Sequence, residues 1–459
     1  MIPPRLSRLA LFLTLTLARA APTATHDVPS PAPADSRCAN LTAAPDGTLH
    51  LTYYGPAPAG SAPASRTLFL SSLAPKATAF SAPRPIVTTP LLMENWADFA
   101  SLAVGTDGAL TAQWFQKPSL SADAHGYAGW FARSTDAGAT WTKPAPLGHE
   151  FVVLAPLSNG RTLAVWLEST RGPRAPSEKN LMSHSHSPVS GSQLSALNSQ
   201  LPYAPSMKLM ARLVSPSGTS LGDWTVDPDV CTCCQNTVAV LPGDRVYVAY
   251  RGHTSGEIRD NLAATFDLAN AAWSKPDTLR DDGWKIAGCP VNGPAADARA
   301  SALAVAWFTA ADGVARVFAK ISADAGRTFS SAIPLDLGQP MGRLETVVLP
   351  DGSAVIFWME MKSAANAAGL YARRLFPDGA LSAPQLLADS TRARAAGFPR
   401  AALRPTGRIV VASTQTGTTN QIRTFEFDPA SLTRSTHTSL PLRSVRPLAM
   451  EFCTAPVSR

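Results

Sequence analysis

Short runs of alternating apolar and polar residues recur along this chain, and a tight turn separates the two runs of each copy. The second run usually ends in a large aromatic residue. The turns lie at 44–47, 105–108, 157–160, 241–244, 349–352 and 404–407, and a seventh copy at 300–307 keeps the strand but lacks the glycine. Alternation with a period of two predicts β-strands, and glycine-containing turns predict reversals between neighbouring strands.

The spacing of these copies predicts a repeat architecture. Successive turn glycines at 47, 108, 160 and 243 are 61, 52 and 83 residues apart, and the last pair, at 352 and 407, is 55 apart. Units of this size are typical of four-stranded propeller blades. No long stretch has a helical period of 3.6 residues. We therefore expect an all-β propeller of six or seven four-stranded blades, with a long loop inserted at about 169–205 in the third copy.

Two octapeptides of the form S-x-D-x-G-x-T-aromatic occupy the same place in two different copies, at 134–141 and 322–329. In each, the aspartate is expected to accept backbone N–H bonds across its own turn, while the glycine adopts a positive φ. The aromatic residue is expected to pack under the loop. The residues to which we assign these structural roles are Asp136, Gly138, Trp141, Asp324, Gly326 and Phe329.

The N-terminus has the features of an export signal, and we expect a periplasmic or secreted protein. Residues 1–20 combine a basic start, a short apolar run and an Ala-Arg-Ala cleavage site, and residues 21–36 form a Pro/Ala-rich segment expected to be a disordered tether. The remaining 37–455 are expected to be one propeller domain, in a protein that works as a monomer. No later run is long and apolar enough to span a membrane.

The charge of the chain argues against nucleic-acid binding. Removing the three arginines of the first 20 residues from the 40 basic residues leaves 37 against 33 acidic ones, so the expected mature charge is +4. No basic run carries interleaved aromatic residues of the kind that binds nucleic acid.

Six cysteines form two groups. Cys38 and Cys453 lie at the two ends of the predicted domain, where a disulfide would clasp the ring in an oxidising compartment. Cys231, Cys233 and Cys234 are close in sequence, and Cys289 lies in the next inter-blade loop. In an extended segment the first two would point the same way and Cys234 the opposite way. The four are candidate ligands of copper or zinc, or else form disulfides or a redox-active dithiol.

The strand order places the unusual segments of the chain on one rim, opposite the octapeptide turns. These segments connect the second and third strands of a blade or lead from one blade to the next. They are 94–98, 149–150, 231–234, 251–260, 288–294, 341–345 and 397–400. Propeller ligand sites commonly lie on such a rim, above the central channel.

The octapeptides resemble the Asp-box, or BNR repeat, of sialidase-type propellers. The span 230–329 is similar to a branch of exported bacterial proteins of the sialidase superfamily, labelled exo-α-sialidase-like. The similarity lies in Val-Cys-Thr-Cys-Cys-Gln at 230–235, Glu-Ile-Arg-Asp at 257–260 and Gly-Cys-Pro-Val-Asn-Gly-Pro at 288–294. It implies a glycoside hydrolase whose arginines hold the carboxylate of a sialate-type sugar. It also implies a tyrosine nucleophile, an acidic partner and an acidic proton donor.

Carried over to this chain, the resemblance implies two sets of residues. The candidate catalytic residues are Tyr250, Glu257, Asp98 and Glu345. The candidate substrate-binding residues are Arg251, Arg259, Arg343, Arg400 and Asn292. The alternative for Tyr250 is packing between two blades, and the alternative for Arg343 and Glu345 is mutual neutralisation. The sequence thus leaves three hypotheses: a propeller that binds or hydrolyses acidic glycans, a non-catalytic copper- or cysteine-centred binding protein, and a scaffold that docks an envelope protein.

Overall fold

The chain folds into seven antiparallel β-sheets, each with four strands in its main path. The computed structural model describes residues 24–121, 127–170 and 207–435. Each sheet packs against the sheets before and after it, and the first also packs against the last, which makes a closed seven-bladed β-propeller. The predicted all-β propeller is confirmed, and its blade number is seven.

Six blades are built from consecutive strands. Blade 1 contains β2 (Arg37–Ala43), β3 (Leu49–Pro56), β4 (Arg66–Leu73) and β5 (Arg84–Thr89). Blade 2 contains β6 (Ser101–Val104), β7 (Leu110–Gln116), β8 (Ala128–Ser134) and β9 (Ala145–Pro146). Blade 3 contains β10 (Glu150–Pro156), β11 (Thr162–Ser169), β12 (Met207–Val214) and β13 (Ser220–Asp227).

The next three blades follow the same order. Blade 4 contains β14 (Thr237–Leu241), β15 (Arg245–Arg251), β16 (Asn261–Asp267) and an outer edge split into β17 (Ala272–Trp273) and β18 (Asp277–Thr278). Blade 5 contains β19 (Ala295–Arg299), β20 (Ala302–Thr309), β21 (Arg316–Ser322) and β22 (Ile333–Pro334). Blade 6 contains β23 (Pro340–Val348), β24 (Ala354–Met361), β25 (Ala367–Leu375) and β26 (Gln385–Thr391).

The N-terminal strand closes the ring. Blade 7 contains β27 (Arg400–Leu403), β28 (Ile409–Gln415), β29 (Gln421–Phe427) and, as its outer strand, β1 (Thr25–Val28). β1 runs antiparallel to β29, and the Oγ1 of Thr424 donates a 2.7 Å hydrogen bond to the carbonyl of Val28. The segment 21–36, expected to be a disordered tether, therefore contributes a strand from residue 25 onward. This strand pairs with the exposed edge of the last blade, a partner that residue alternation within one blade does not predict.

Several expectations fall on residues outside the described part of the chain. They concern the signal segment 1–20, nearly all of the insertion at 169–205, and the C-terminal end of the domain at 455. Cys453 also lies there, so its disulfide with Cys38 stays a prediction. Within the described ranges the helices are four short 3-10 turns, Ser158–Gly160, Ala311–Gly313, Arg394–Ala396 and Pro429–Ser431. No helix there is long and apolar enough to cross a membrane.

The core consists of seven apolar clusters, one between each pair of adjacent blades. The aromatic residues that end the second strands fill these clusters. Trp114, Trp307 and Trp358 are completely buried there. Large aromatic side chains stabilise through the apolar area they remove from water, about 25 cal/mol per Å². The sequence repeat therefore encodes the packing between blades as well as the strands within them.

The two octapeptide turns have the predicted geometry. Asp136 accepts hydrogen bonds from the backbone N–H and the hydroxyl of Thr140, at 2.9 and 2.6 Å, and Asp324 does the same with Thr328. Gly138 and Gly326 have φ values of 83° and 78°. The aromatic residues Trp141 and Phe329 each pack into the cluster shared with the preceding blade. These turns thus connect neighbouring blades at the rim opposite the loops described next.

Candidate metal centre

The inter-blade loops meet over one end of the central channel. Gln235 links three of them, because its Nε2 donates to the carbonyl of Ala97 at 2.6 Å and its Oε1 accepts from the N–H of Gly293 at 3.0 Å. Asn292 continues the chain of contacts by accepting the N–H of Arg343 at 2.8 Å. These contacts join the loops that precede blades 2, 4 and 5 to the first strand of blade 6. The predicted convergence of the unusual segments on one rim is therefore observed.

A glycine permits the closest of these approaches. A Cβ built on Gly293 would lie 1.9 Å from the carbonyl oxygen of Gln235. Real Cβ atoms do not approach backbone atoms so closely, so any side chain at this position would push the two loops apart. The Gly-Cys-Pro-Val-Asn-Gly-Pro segment thus lies directly on the cysteine-containing loop 231–236.

Three cysteines of that loop bring their sulfur atoms together. Cys231 Sγ lies 3.8 Å from both Cys233 Sγ and Cys234 Sγ, and all three atoms lie within 4.8 Å of one another. Residues 232 and 233 form a turn. The expectation of an extended segment, with Cys234 on the opposite side, is therefore wrong: the turn rotates Cys234 back towards Cys231.

Cys289 adjoins the group from a different loop. Its Sγ is 3.8 Å from the hydroxyl oxygen of Thr232, which lies between Cys231 and Cys233 in the chain. Cys231 and Cys234 are buried, whereas Cys233 and Cys289 are partly exposed. None of the five cysteines in the described ranges is joined in a disulfide. We call Cys231, Cys233, Cys234 and Cys289 the cysteine centre.

Hydrogen bonds favour the thiolate at Cys231. The sulfur atoms of Cys233 and Cys234 lie 3.8 Å from its sulfur, and the guanidinium of Arg259 donates an N–H to it at 3.3 Å, so hydrogen bonding holds the pKa of the Cys231 thiol well below its usual value. Hydrogen bonding with Cys231 raises the pKa of Cys233, while burial raises that of Cys234 to about 12. Interaction with the Cys233 thiol lowers the pKa of Cys289 to about 6. Cys231 and Cys289 are therefore the two sulfurs of the centre that most favour the thiolate form.

A second layer of charged residues fixes Arg259 in place. Glu257 accepts a 2.8 Å hydrogen bond from Arg259 and lies 3.2 Å from the imidazole of His253. The other ring nitrogen of His253 is 2.9 Å from Asp229. His253 and Asp229 were not predicted as part of a site, because neither lies in a recognisable ligand spacing. Their connection to the centre depends on the fold of the 251–260 loop.

The sulfur geometry matches a thiolate metal site. With metal–sulfur bonds of about 2.3 Å, two thiolates of a tetrahedral site are about 3.8 Å apart. This is the separation of Cys231 from each of its two neighbours in the loop. Soft thiolate ligands favour Cu(I) and Zn(II) over hard cations such as calcium or magnesium. The described cysteines thus form a preassembled donor set of at least three sulfur atoms.

Arg251, a candidate substrate ligand, is used by the protein itself. Its guanidinium donates to the carbonyls of Asn292, Arg259 and Phe308 at distances of 2.6–3.1 Å. The side chain is 2% exposed and its Cζ lies 4.9 Å from the ring centre of Trp284. Its donors are therefore directed at backbone groups, and this placement gives no support to a role in holding a sugar carboxylate.

Arg343 is placed similarly. Its guanidinium donates to the carbonyls of Ala393, Gly397 and Arg392, and it stacks on Trp96 with its Cζ 5.0 Å from the ring centre. Burial lowers the pKa of Arg343 to about 10. Asn292, predicted to contact substrate, instead connects Arg251 with Arg343 through its backbone carbonyl and side chain.

Arg400 and Glu345 pair with each other in the channel wall. Arg400 Nε lies 2.9 Å from Glu345 Oε2, and the guanidinium lies over the ring of Phe99. Burial raises the pKa of Glu345, although Arg400 opposes this shift. Both residues line the central channel, a cavity of about 900 Å³ bordered by the innermost strands of the blades. The predicted alternative of Arg343 neutralising Glu345 is not what the structure shows.

The remaining catalytic candidates are not brought together. Tyr250 packs between blades 3 and 4, where its hydroxyl donates a 2.7 Å hydrogen bond to Asp227, and burial raises its pKa. Glu257 belongs to the arginine and histidine contacts beside the cysteine centre. Asp98 is buried and accepts hydrogen bonds from Tyr127 and from the N–H of Phe151, and burial raises its pKa well above the usual value.

Comparison with known proteins gives similarity of shape but no family. No protein-family model matches this chain, and no curated protein matches it. Among solved structures, a protein of unknown function from Dyadobacter fermentans is 14% identical, with 89% of this chain and 98% of that one covered and a TM-score of 0.45. A Penicillium chrysogenum alpha-L-arabinanase is 10% identical, with coverages of 90% and 100% and a TM-score of 0.45.

A sialidase is also among these structures. The Hadza microbial sialidase Hz136 is 10% identical, with 87% of this chain and 66% of that chain covered and a TM-score of 0.42. The named enzymes in this group, including a polysaccharide lyase at a TM-score of 0.49, act on glycans. At this level of similarity they do not bear on the activity of the present chain.

Proposed function

We propose that this protein is an exported propeller that binds one thiophilic metal ion, Cu(I) or Zn(II), through its cysteine centre. The observation that carries the proposal is the group of three sulfur atoms of Cys231, Cys233 and Cys234, all within 4.8 Å of one another. Cys289 lies beside them as a fourth donor. The expected leader agrees with export. The described cysteines are not joined in disulfides, which agrees with their use as ligands.

The charges around the centre support a bound cation with several thiolates. Arg259 donates to Cys231 at 3.3 Å, and both Arg259 and Arg251 favour its thiolate electrostatically. Three thiolates around Cu(I), or four around Zn(II), carry a net charge of about −2, which two guanidinium groups balance. Buried charge is tolerated when it is paired in this way.

Metal analysis of the purified full-length protein tests the proposal. Cu(I) and Zn(II) are titrated separately under anaerobic, reducing conditions against chromophoric chelators, and the bound metal is counted by native mass spectrometry. We expect one ion per chain and loss of tight binding in Cys231→Ser. Cys38→Ser is the matched control, because Cys38 is buried but its thiol contacts the carbonyl of Asn95 on another part of the rim.

The same measurement contains the contrary result. A protein that takes up neither ion when its thiols are reduced would refute the proposal. So would a mass showing that cysteines of the centre are joined in disulfides in freshly isolated protein, because disulfide sulfur is not available as a thiolate ligand. If metal binds, the preferred ion decides between three-coordinate copper and four-coordinate zinc.

Binding of an acidic glycan is the second candidate function. The observation in its favour is the open channel of about 900 Å³, whose wall contains the partly exposed Arg400 beside Glu345. It also agrees with the sequence resemblance to the sialidase superfamily. Calorimetric titration with N-acetylneuraminate and glucuronate tests it. Binding that is lost in Arg400→Ala would support this function, and no binding by the folded wild-type protein would exclude it.

A further inference from the structure

The four sulfur atoms of the cysteine centre differ in their access to solvent. Cys231 and Cys234 are each 1% exposed, while Cys233 and Cys289 are partly exposed. Metal exchange between thiolates requires the incoming sulfur to approach the ion before the outgoing one leaves. Such an approach is open on the side of Cys289 and closed on the side of Cys231 and Cys234.

We propose that Cys289 is the entry ligand of the cysteine centre, which receives the metal from an external thiol and passes it to the buried sulfurs. This inference rests on the proposed metal-binding function. It assigns different roles to the four cysteines: Cys231 and Cys234 determine affinity, Cys289 determines the rate of exchange, and Cys233 connects the two.

The loop that carries Cys289 is anchored on both sides of this residue. On one side the carboxylate of Asp260 accepts the N–H groups of Gly283 and Trp284, and Ile286 donates to the carbonyl of Glu257. On the other side Gly293 is hydrogen-bonded to Gln235. Between these anchors the Sγ of Cys289 lies 3.8 Å from the hydroxyl oxygen of Thr232. Cys289 therefore belongs to a different loop from the other three sulfurs and faces them from the side of the centre that is open to solvent.

Cys233 is positioned to take part in the transfer. Its Sγ lies 3.8 Å from that of Cys231 and within 4.8 Å of that of Cys234, and it directly follows Thr232, whose hydroxyl oxygen lies 3.8 Å from Cys289 Sγ. The ion can therefore pass from the external thiolate to Cys289 and Cys233, and then to Cys231 and Cys234. In each step one metal–sulfur bond forms as another breaks, and the oxidation state of the metal does not change. Each protein sulfur that is protonated releases its proton to solvent on binding, and the departing external thiolate takes one up.

Stopped-flow exchange with Cu(I)–glutathione tests this assignment, and a centre that prefers Zn(II), which would hold Cys289 as a permanent fourth thiolate, would contradict it. In Cys289→Ser, loading and removal should both slow by at least about tenfold, with Kd within about threefold of the wild type, because a ligand used only in transit affects both rates equally. In Cys234→Ser, Kd should rise by more than about 100-fold, since a direct ligand contributes more than an outer-shell partner. Cys38→Ser should leave rates and Kd unchanged.

Two further results would overturn the inference while leaving the metal site intact. One is a loss of affinity in Cys289→Ser equal to that in Cys234→Ser, which would mean a cage of four equivalent thiolates. The other is unchanged exchange rates in Cys289→Ser. A wild-type protein that binds neither ion would instead refute the proposed function itself. Brief iodoacetamide treatment of the metal-loaded wild type gives a readout that needs no variant: Cys289 should be alkylated before Cys231 and Cys234, and the reverse order would contradict the assignment.

Discussion

Replacing Arg251 separates its structural role from a role in substrate binding. Four N–H···O contacts connect its buried guanidinium to three backbone carbonyls, in the 251–260 loop, in the 288–294 loop and at the end of β20. We expect Arg251→Met to destabilise the propeller strongly, because the methionine fills much of the volume but offers no donor.

The size of the effect can be worked from these contacts. The carbonyl of Phe308 keeps a second donor, the side-chain amide of Asn261 at 3.3 Å, so the carbonyls of Asn292 and Arg259 are the ones that lose these bonds. An unsatisfied buried acceptor costs about 1–3 kcal/mol, and the lost contact with Trp284 adds about 2 kcal/mol. The desolvation cost of the guanidinium offsets part of this sum. We expect a net loss of about 3–5 kcal/mol, the range for removing one partner of a buried charged contact.

Calorimetry or circular dichroism can measure this loss. For a ring of roughly 400 residues, an unfolding entropy of about 2.1 cal/mol/K per residue makes 1 kcal/mol equal to about 1.2 °C in Tm. Arg251→Met should therefore lower Tm by about 4–6 °C, and Arg251→Lys by less, since an ammonium can satisfy only part of the set. Arg280→Met is the matched control: Arg280 also stacks on an aromatic ring, but its side chain is 44% exposed. It should change stability by less than about 1 kcal/mol.

The contrary outcome is equally well defined. If Arg251→Met leaves Tm within about 1 °C of the wild type, the loss of stability is below about 1 kcal/mol. The carbonyl contacts then do not stabilise the rim as argued. If it also abolishes binding of an acidic sugar, Arg251 is a substrate ligand and the assignment from the sialidase resemblance is right.

Three further predictions concern other parts of the ring. Burial raises the pKa of Asp297 from 3.8 to about 6, so the folded state binds this proton more tightly than the unfolded state. The free energy of unfolding should therefore fall as the pH rises from about 4 to 6. A thermal-shift profile of Asp297→Asn should be flatter over this pH range. Tyr250→Phe should cost about 1–2 kcal/mol in urea unfolding by removing the bond to Asp227, with metal binding unchanged. Gly293→Ala should displace Gln235 and weaken metal binding in the chelator titration, whereas unchanged affinity would show that the loops move apart harmlessly.

The sequence predicted the fold well because the information is local and repeated. Each blade needs alternating strands and a tight turn, and both have recognisable residue patterns. The closure of the ring was not predicted. β1 and β29 pair across 396 residues, and neither strand has a sequence pattern that indicates its partner. The disordered tether was expected from the Pro/Ala-rich composition of residues 21–36. Strand β1 forms within that segment because blade 7 offers it a free edge.

The cysteine centre was predicted in membership but not in geometry. The spacing Cys231, Cys233, Cys234 matches no common metal motif, and Cys289 follows only after a whole blade. The turn at 232–233 brings the third cysteine to the same side as the first, a reversal that the residue types alone do not require. Asp229 and His253, which support the centre through Glu257 and Arg259, lie in no recognisable metal-ligand spacing.

The arginines show why a resemblance in sequence does not by itself assign a role to a residue. Loops that converge over a channel have no ladder of strand partners, so their buried carbonyls need other donors. Arginine offers five N–H groups on a rigid plane and can satisfy several carbonyls at once. Arg251 and Arg343 do this for two different loop junctions on the same rim. An arginine in such a loop is therefore expected whether or not a carboxylate binds above it, and only its hydrogen-bond partners distinguish the two cases.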